Sequence, residues 1–151
     1  MKSKKMDALV TQFKNKTLPK AQWTHSAHLA VAFWYAGHFR LREPTIQHLR
    51  ADIRAFNEAS GTENTDQSGY HETLTIFWVE TVFAFIQNHP QKTAADLFDS
   101  FLGTPCAVAD FPRQFYSSDL LFSKNARRHW VEPDLRPLSA LLHCGAQWQT
   151  T

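Results

Sequence analysis

The chain has 151 residues, 43% of them hydrophobic and 20% charged, a size and balance that predict one hydrophobic core and exclude an intrinsically disordered chain. Five Gly and seven Pro exclude a collagen-like or linker-like sequence. The net charge of +2 is unevenly spread, since six Lys against Asp7 give residues 1–20 a charge of +5, yet six Lys with no Arg and few interleaved rings describe a solubilising helix better than a nucleic-acid-binding arm.

The compositional surplus lies in planar side chains: twelve Phe, five Trp, three Tyr and eight His. The two cysteines, Cys106 and Cys144, allow at most one bridge, and the start of the chain lacks the pattern of a signal peptide, so the expected location is cytoplasmic. The longest apolar stretch, residues 29–36, is far short of the ~20 residues that cross a bilayer, and no membrane partner is expected.

In chain order, Met6, Leu9, Val10 and Phe13 recur at helical spacing and predict a basic amphipathic helix within residues 1–16, lying at the periphery. Thr24 is a good N-cap for a second helix over 25–38, in which Leu29, Val31, Phe33 and Trp34 point in different directions. A helix apolar all round is buried among neighbours. Pro44 suits the first position of a third helix, with Ile46, Leu49, Ile53 and Phe56 on one stripe and Arg50, Asp52, Arg54 and Glu58 facing outward. After a polar loop, Ser68 can cap a fourth helix over 70–88, again apolar on nearly every side. Thr93 with Asp96 resembles a capping box for a fifth, short helix ended by Gly103. From residue 104 onward four prolines break the periodicity, leaving short helices over 123–131 and 138–144. The expected fold is all-α: one domain over 1–151, a helical bundle with two central buried helices and an irregular, Pro-containing C-terminal wrap over 104–151.

Two strings carry the candidate chemistry: Trp23-Thr24-His25-Ser26-Ala27-His28-Leu29, and the run from Asn64 to Thr75, Asn-Thr-Asp-Gln-Ser-Gly-Tyr-His-Glu-Thr-Leu-Thr. Together they resemble the signature of a group of small bacterial all-α proteins to which no activity is assigned, and the resemblance extends more loosely over 122–138, through Arg127, Trp130, Glu132, Pro133 and Asp134. It implies that the strings belong to one architecture and lends no reaction.

His25 and His28, three apart on a helix, share a face. If the second, third and fourth helices run up, down and up, the starts of the second and fourth lie at the same end, which brings His71 and Glu72 to the same place and Asp66 near them. Such a set suits zinc, iron, manganese or nickel, with His25, His28 and His71 as metal ligands and Glu72 or Asp66 as catalytic base or further ligand. Metal-assisted hydrolysis or iron-dependent oxidation would follow.

A metal-free site is a competing reading. Converging helix starts with Trp23 and Tyr70 as walls, the hydroxyls of Thr24 and Ser68, and Arg127 or Arg128 would take a small anion, with His71 and Glu72 for acid–base work. A third reading makes the histidines structural, capping helices or bonding backbone, in a non-catalytic module whose rings hold an apolar ligand or a partner segment.

Overall fold

The structure, a computed structural model, describes residues 1–144. The predicted wrap runs past these, and its residues 145–151 lie outside the described part. Among the described residues the chain is helical without strands: α1 (Ser3–Lys14), α2 (His25–Phe39), α3 (Arg42–Ala59), α4 (Glu72–Gln87), α5 (Ala94–Leu102), α6 (Ser118–Leu121) and α7 (Lys124–Arg128), with 3-10 turns at Lys20–Gln22, Pro105–Ala107, Phe111–Gln114 and Leu138–His143. None is long and apolar enough to cross a membrane.

The all-α bundle is as expected, and α2 is its hub. It packs against α1, α3, α4 and α5. The even spread of apolar side chains around it therefore has a cause: with four helices packed on it, Leu29, Val31, Phe33 and Tyr35 are all buried although they point in different directions. The Thr24 side chain accepts from the Ala27 N–H at 3.2 Å and fixes where α2 begins. The second central helix, α4, buries Phe77, Val79, Val82 and Phe85, and Thr81 is kept inside by donating its hydroxyl to the Phe77 carbonyl at 2.8 Å.

The first helix is amphipathic as its spacing predicts: Met6, Val10 and Phe13 are all but inaccessible, its lysines are exposed, and the Phe13 ring stacks on Trp23 at 4.6 Å. A stripe this narrow leaves the lysines in water while the helix still closes one side of the core. Three local expectations are corrected. In α3, Pro44 falls at the third helical position, not the first; an N–H in the first turn has no intrahelical partner, so either register accommodates proline. The fourth helix begins at Glu72, capped not by Ser68 but by His71, whose Nδ1 accepts from the Leu74 N–H at 3.1 Å. The helix predicted over 123–131 is cut to Lys124–Arg128, with Ser123 as cap and an extended backbone at His129.

The wrap is irregular in backbone but supplies much of the core. Phe111, Phe115 and Tyr116 are buried around Phe77, with ring centroids 5.1–6.1 Å from it. Short proline-punctuated turns suit this role, because they place successive rings inward without a helix's obligation to present an outer face.

Candidate functional site

The starts of α2 and α4 do lie at one end of the bundle. Between them and the second half of α3 opens a cleft of about 510 Å³. One wall carries Trp23, His25, His28, Leu29 and Ala32, the second Leu49, Ile53 and Asn57, and the third Tyr70, His71, Leu74, Thr75, Trp78 and Val79. The lining is mostly apolar and aromatic, with its polar groups at fixed points.

Each imidazole is tied to backbone, and because a carbonyl oxygen can only accept, each bond settles which ring nitrogen holds the proton. His25 donates from Nε2 to the Ala107 carbonyl at 2.7 Å, and its ring leans on Trp78 at 5.1 Å. His28 donates from Nδ1 to the Thr24 carbonyl at 2.7 Å and stacks on Trp23 with centroids 3.7 Å apart. His71 donates from Nε2 to the Leu121 carbonyl at 2.8 Å while its Nδ1 takes the Leu74 N–H. Burial pushes His28 down to about 4, against the raising effect of its Thr24 bond and with a small added push from His25. Burial likewise lowers His71, outweighing the bond to Leu121. Both rings are neutral at pH 7. The Nε2 of His28 is then an unprotonated acceptor on the cleft wall, with no partner among the described residues.

This arrangement corrects the metal set. His71 has both ring nitrogens engaged and offers no lone pair, Glu72 and Asp66 are each held by an arginine, and no group of three or more His, Cys, Asp or Glu able to hold an ion exists among the described residues. With two histidines as the remaining donors, zinc, iron, manganese or nickel would lack a ligand shell. The residues present do not fit a transition metal.

The carboxylates face elsewhere. Glu72 takes three hydrogen bonds from the Arg50 guanidinium at 2.8–3.1 Å and a fourth from the Tyr70 hydroxyl at 2.6 Å. Asp66 receives a two-pronged bond from Arg128 at 2.6 and 2.7 Å, which holds its carboxyl below the usual range, helped by the charges of Lys124 and Arg127. These groups border a second, polar cavity of about 320 Å³ on the other side of Tyr70, lined also by Arg54, Asn64 and Thr65. Arg127 and Arg128 belong to this cavity and not to the cleft, whereas Thr24 and Ser68 line neither and serve as a helix cap and a loop tie.

The long string from Asn64 to Thr75 is thus a structural joint. Asn64 Oδ1 accepts from the Asn57 side chain and from the Tyr70 N–H, and its Nδ2 donates to the Arg54 carbonyl. Thr65 accepts from the N–H groups of Gln67 and Ser68. Thr73 donates to the His129 carbonyl and accepts from the Val131 N–H, while Arg127 donates to the carbonyls of Gly69 and Tyr70. Asn64, Asp66, His71, Glu72 and Thr73 fasten the loop and the start of α4 to α3 or to the wrap.

Sequence reasoning missed Asn57, Ile53, Trp78 and Thr75 as cleft residues, and Arg50 and Arg54 as walls of the polar cavity. Their spacings carried a signal: Arg50, Arg54 and Asn57 lie four and three apart, on one helical face pointing toward the 62–71 loop. Cys106 and Cys144 are buried and not joined in a disulfide, and the contact with Cys106 together with burial raises the Cys144 thiol, as befits unreactive core groups. Neither a family model, nor a curated protein, nor a solved structure matches this chain.

Proposed function

We propose that the protein is a small-ligand-binding module whose cleft takes a flat, mostly apolar molecule carrying one hydrogen-bond donor. The reading is carried by the pairing of an open, ring-lined volume of about 510 Å³ with a neutral imidazole acceptor on its wall, His28 Nε2. That volume and lining fall within the range of small-molecule sites. A metal-dependent hydrolase or oxygenase is disfavoured because His71, Glu72 and Asp66 are committed to holding the fold together.

Indole is a suitable probe, being flat, apolar and equipped with one N–H. Titrated into labelled protein, it is expected to move the NMR signals of Trp23, His28, Ile53 and Trp78 with a dissociation constant on the order of 0.1–1 mM, as befits so small a ligand. 1-Methylindole, lacking the donor, should bind about three- to tenfold more weakly. Ile53→Trp, which projects bulk into the cleft from a half-buried position, should abolish the response. Shifts that spread over the surface without saturating, or that survive Ile53→Trp unchanged, would remove the cleft as a binding site.

A further inference from the structure

The polar cavity beside the cleft has an imbalance of charge that the fold itself does not use. Its walls hold four guanidiniums, Arg50, Arg54, Arg127 and Arg128, against two carboxylates, Glu72 and Asp66. Arg50 and Arg128 are matched one to one with those carboxylates. The other two are not. Arg127 spends Nη1 on the backbone carbonyls of Gly69 and Tyr70, and Arg54 lies over the Tyr70 ring with its guanidinium carbon 5.7 Å from the centroid; neither forms an ion pair among the described residues.

Two uncompensated arginines on one concave surface of about 320 Å³ make a positive site, and the walls are pre-organised. Arg50 and Arg128 are locked by their two-pronged bonds, and Arg127 is pinned by the loop carbonyls. Each still has N–H groups to offer: Nη1 of Arg50 and Arg128, Nε and Nη2 of Arg127, and the whole guanidinium of Arg54. The planar fork of arginine fits tetrahedral oxyanions. Two unmatched positive charges call for a doubly negative guest, which singles out a phosphate group over a monocarboxylate.

We infer that the cavity formed by Arg50, Arg54, Arg127 and Arg128 is a binding site for a phosphate dianion, either inorganic phosphate or the phosphoryl group of a small monoester. The site stands independently of what the apolar cleft binds.

Calorimetric titration with inorganic phosphate at low salt and about pH 7.5, where the dianion dominates, tests this. One saturable site is expected. Arg54 is exposed and among the described residues its side chain takes part in no hydrogen bond, so its substitution spares the fold; Arg54→Gln should weaken binding about tenfold and Arg54→Glu should abolish it. Lys5→Gln, an exposed position of α1 outside the cavity lining, should change nothing. Acetate at equal ionic strength should bind far more weakly. Phenyl phosphate provides a second arm: tighter binding than inorganic phosphate assigns the site to monoesters, and weaker binding assigns it to the free ion. The inference is overturned if no saturation is reached by about 20 mM phosphate, if Arg54→Gln and Arg54→Glu bind as the native chain does, if Lys5→Gln weakens binding as much as they do, or if acetate matches phosphate.

Discussion

Gly69→Ala is expected to cost about 3 kcal/mol of folding stability, a fall of roughly 6–12 °C in melting temperature for a chain of this size. Gly69 has φ +78°, a left-handed conformation that an L side chain adopts with strain. A Cβ there would also sit 2.5 Å from the Glu63 carbonyl oxygen and 2.7 Å from Asn64 Oδ1. Neither atom can retreat cheaply. Asn64 Oδ1 is the acceptor that joins Asn57 to Tyr70, so moving it breaks bonds on both sides of the loop. Gly61→Ala is the natural comparison, since Gly61 has φ +84° but a Cβ there meets nothing within 4 Å. Only the conformational part remains, about 1 kcal/mol. Thermal unfolding of the two variants side by side separates backbone strain from steric collision; equal losses would show that the close approach at Gly69 contributes nothing.

Acidification is expected to destabilise the protein between pH 6.5 and about 4 through His28. Its ordinary value of 6.5 applies to the unfolded chain, and burial lowers it to about 4 in the folded one. Below pH 6.5 the unfolded state therefore takes up a proton that the folded state refuses. The stabilisation is complete above 6.5, shrinks as pH falls, and is gone once pH drops below about 4, where both states are protonated. A shift of this size corresponds to about 3 kcal/mol. His71, whose value burial also lowers, acts in the same direction below pH 6.5. Denaturant unfolding at pH 7.5 and 4.5 checks the effect, with His28→Gln as the reference that keeps a polar side chain and loses the titration. The native chain should lose about 2–3 kcal/mol more than His28→Gln over this interval. Parallel losses in both would take the acid sensitivity away from His28 and place it in His71 or the carboxylates.

The same histidines show what was legible in the sequence. The N-cap at Thr24, the buried character of α2 and α4 and the capping of α5 by Thr93 follow from local periodicity and capping chemistry, and the meeting of two helix starts follows from an up-down-up order of α2, α3 and α4. What each imidazole does there does not. The acceptors for His25 and His71 are Ala107 and Leu121, 82 and 50 residues further on, in a segment without periodicity to place it. The same gap explains the error about the metal, since a ring nitrogen already spent on a distant carbonyl looks free in the sequence. Helix α1 was legible from its periodicity: Met6, Val10 and Phe13, three apolar side chains at helical spacing, are buried while its three lysines are exposed. Arg50 and Arg54 follow the opposite pattern, being outward on their helix but facing a loop that folds back over them.

The fastening of α4 to the wrap also bears on how the chain emerges during synthesis. His71 is tied to residue 121, Thr73 to 129 and 131, Asp66 to 128, and the carbonyls of Gly69 and Tyr70 to 127. Helices α1, α2 and α3 can associate as soon as they leave the ribosome, because their contacts lie close in sequence. The rim of the cleft has to wait. Until residue 131 has been added, the first turn of α4 lacks its partners in the wrap, so the cleft end of the molecule matures only after α7 has emerged, and a nascent chain stalled before that point carries the helices without a completed cleft rim.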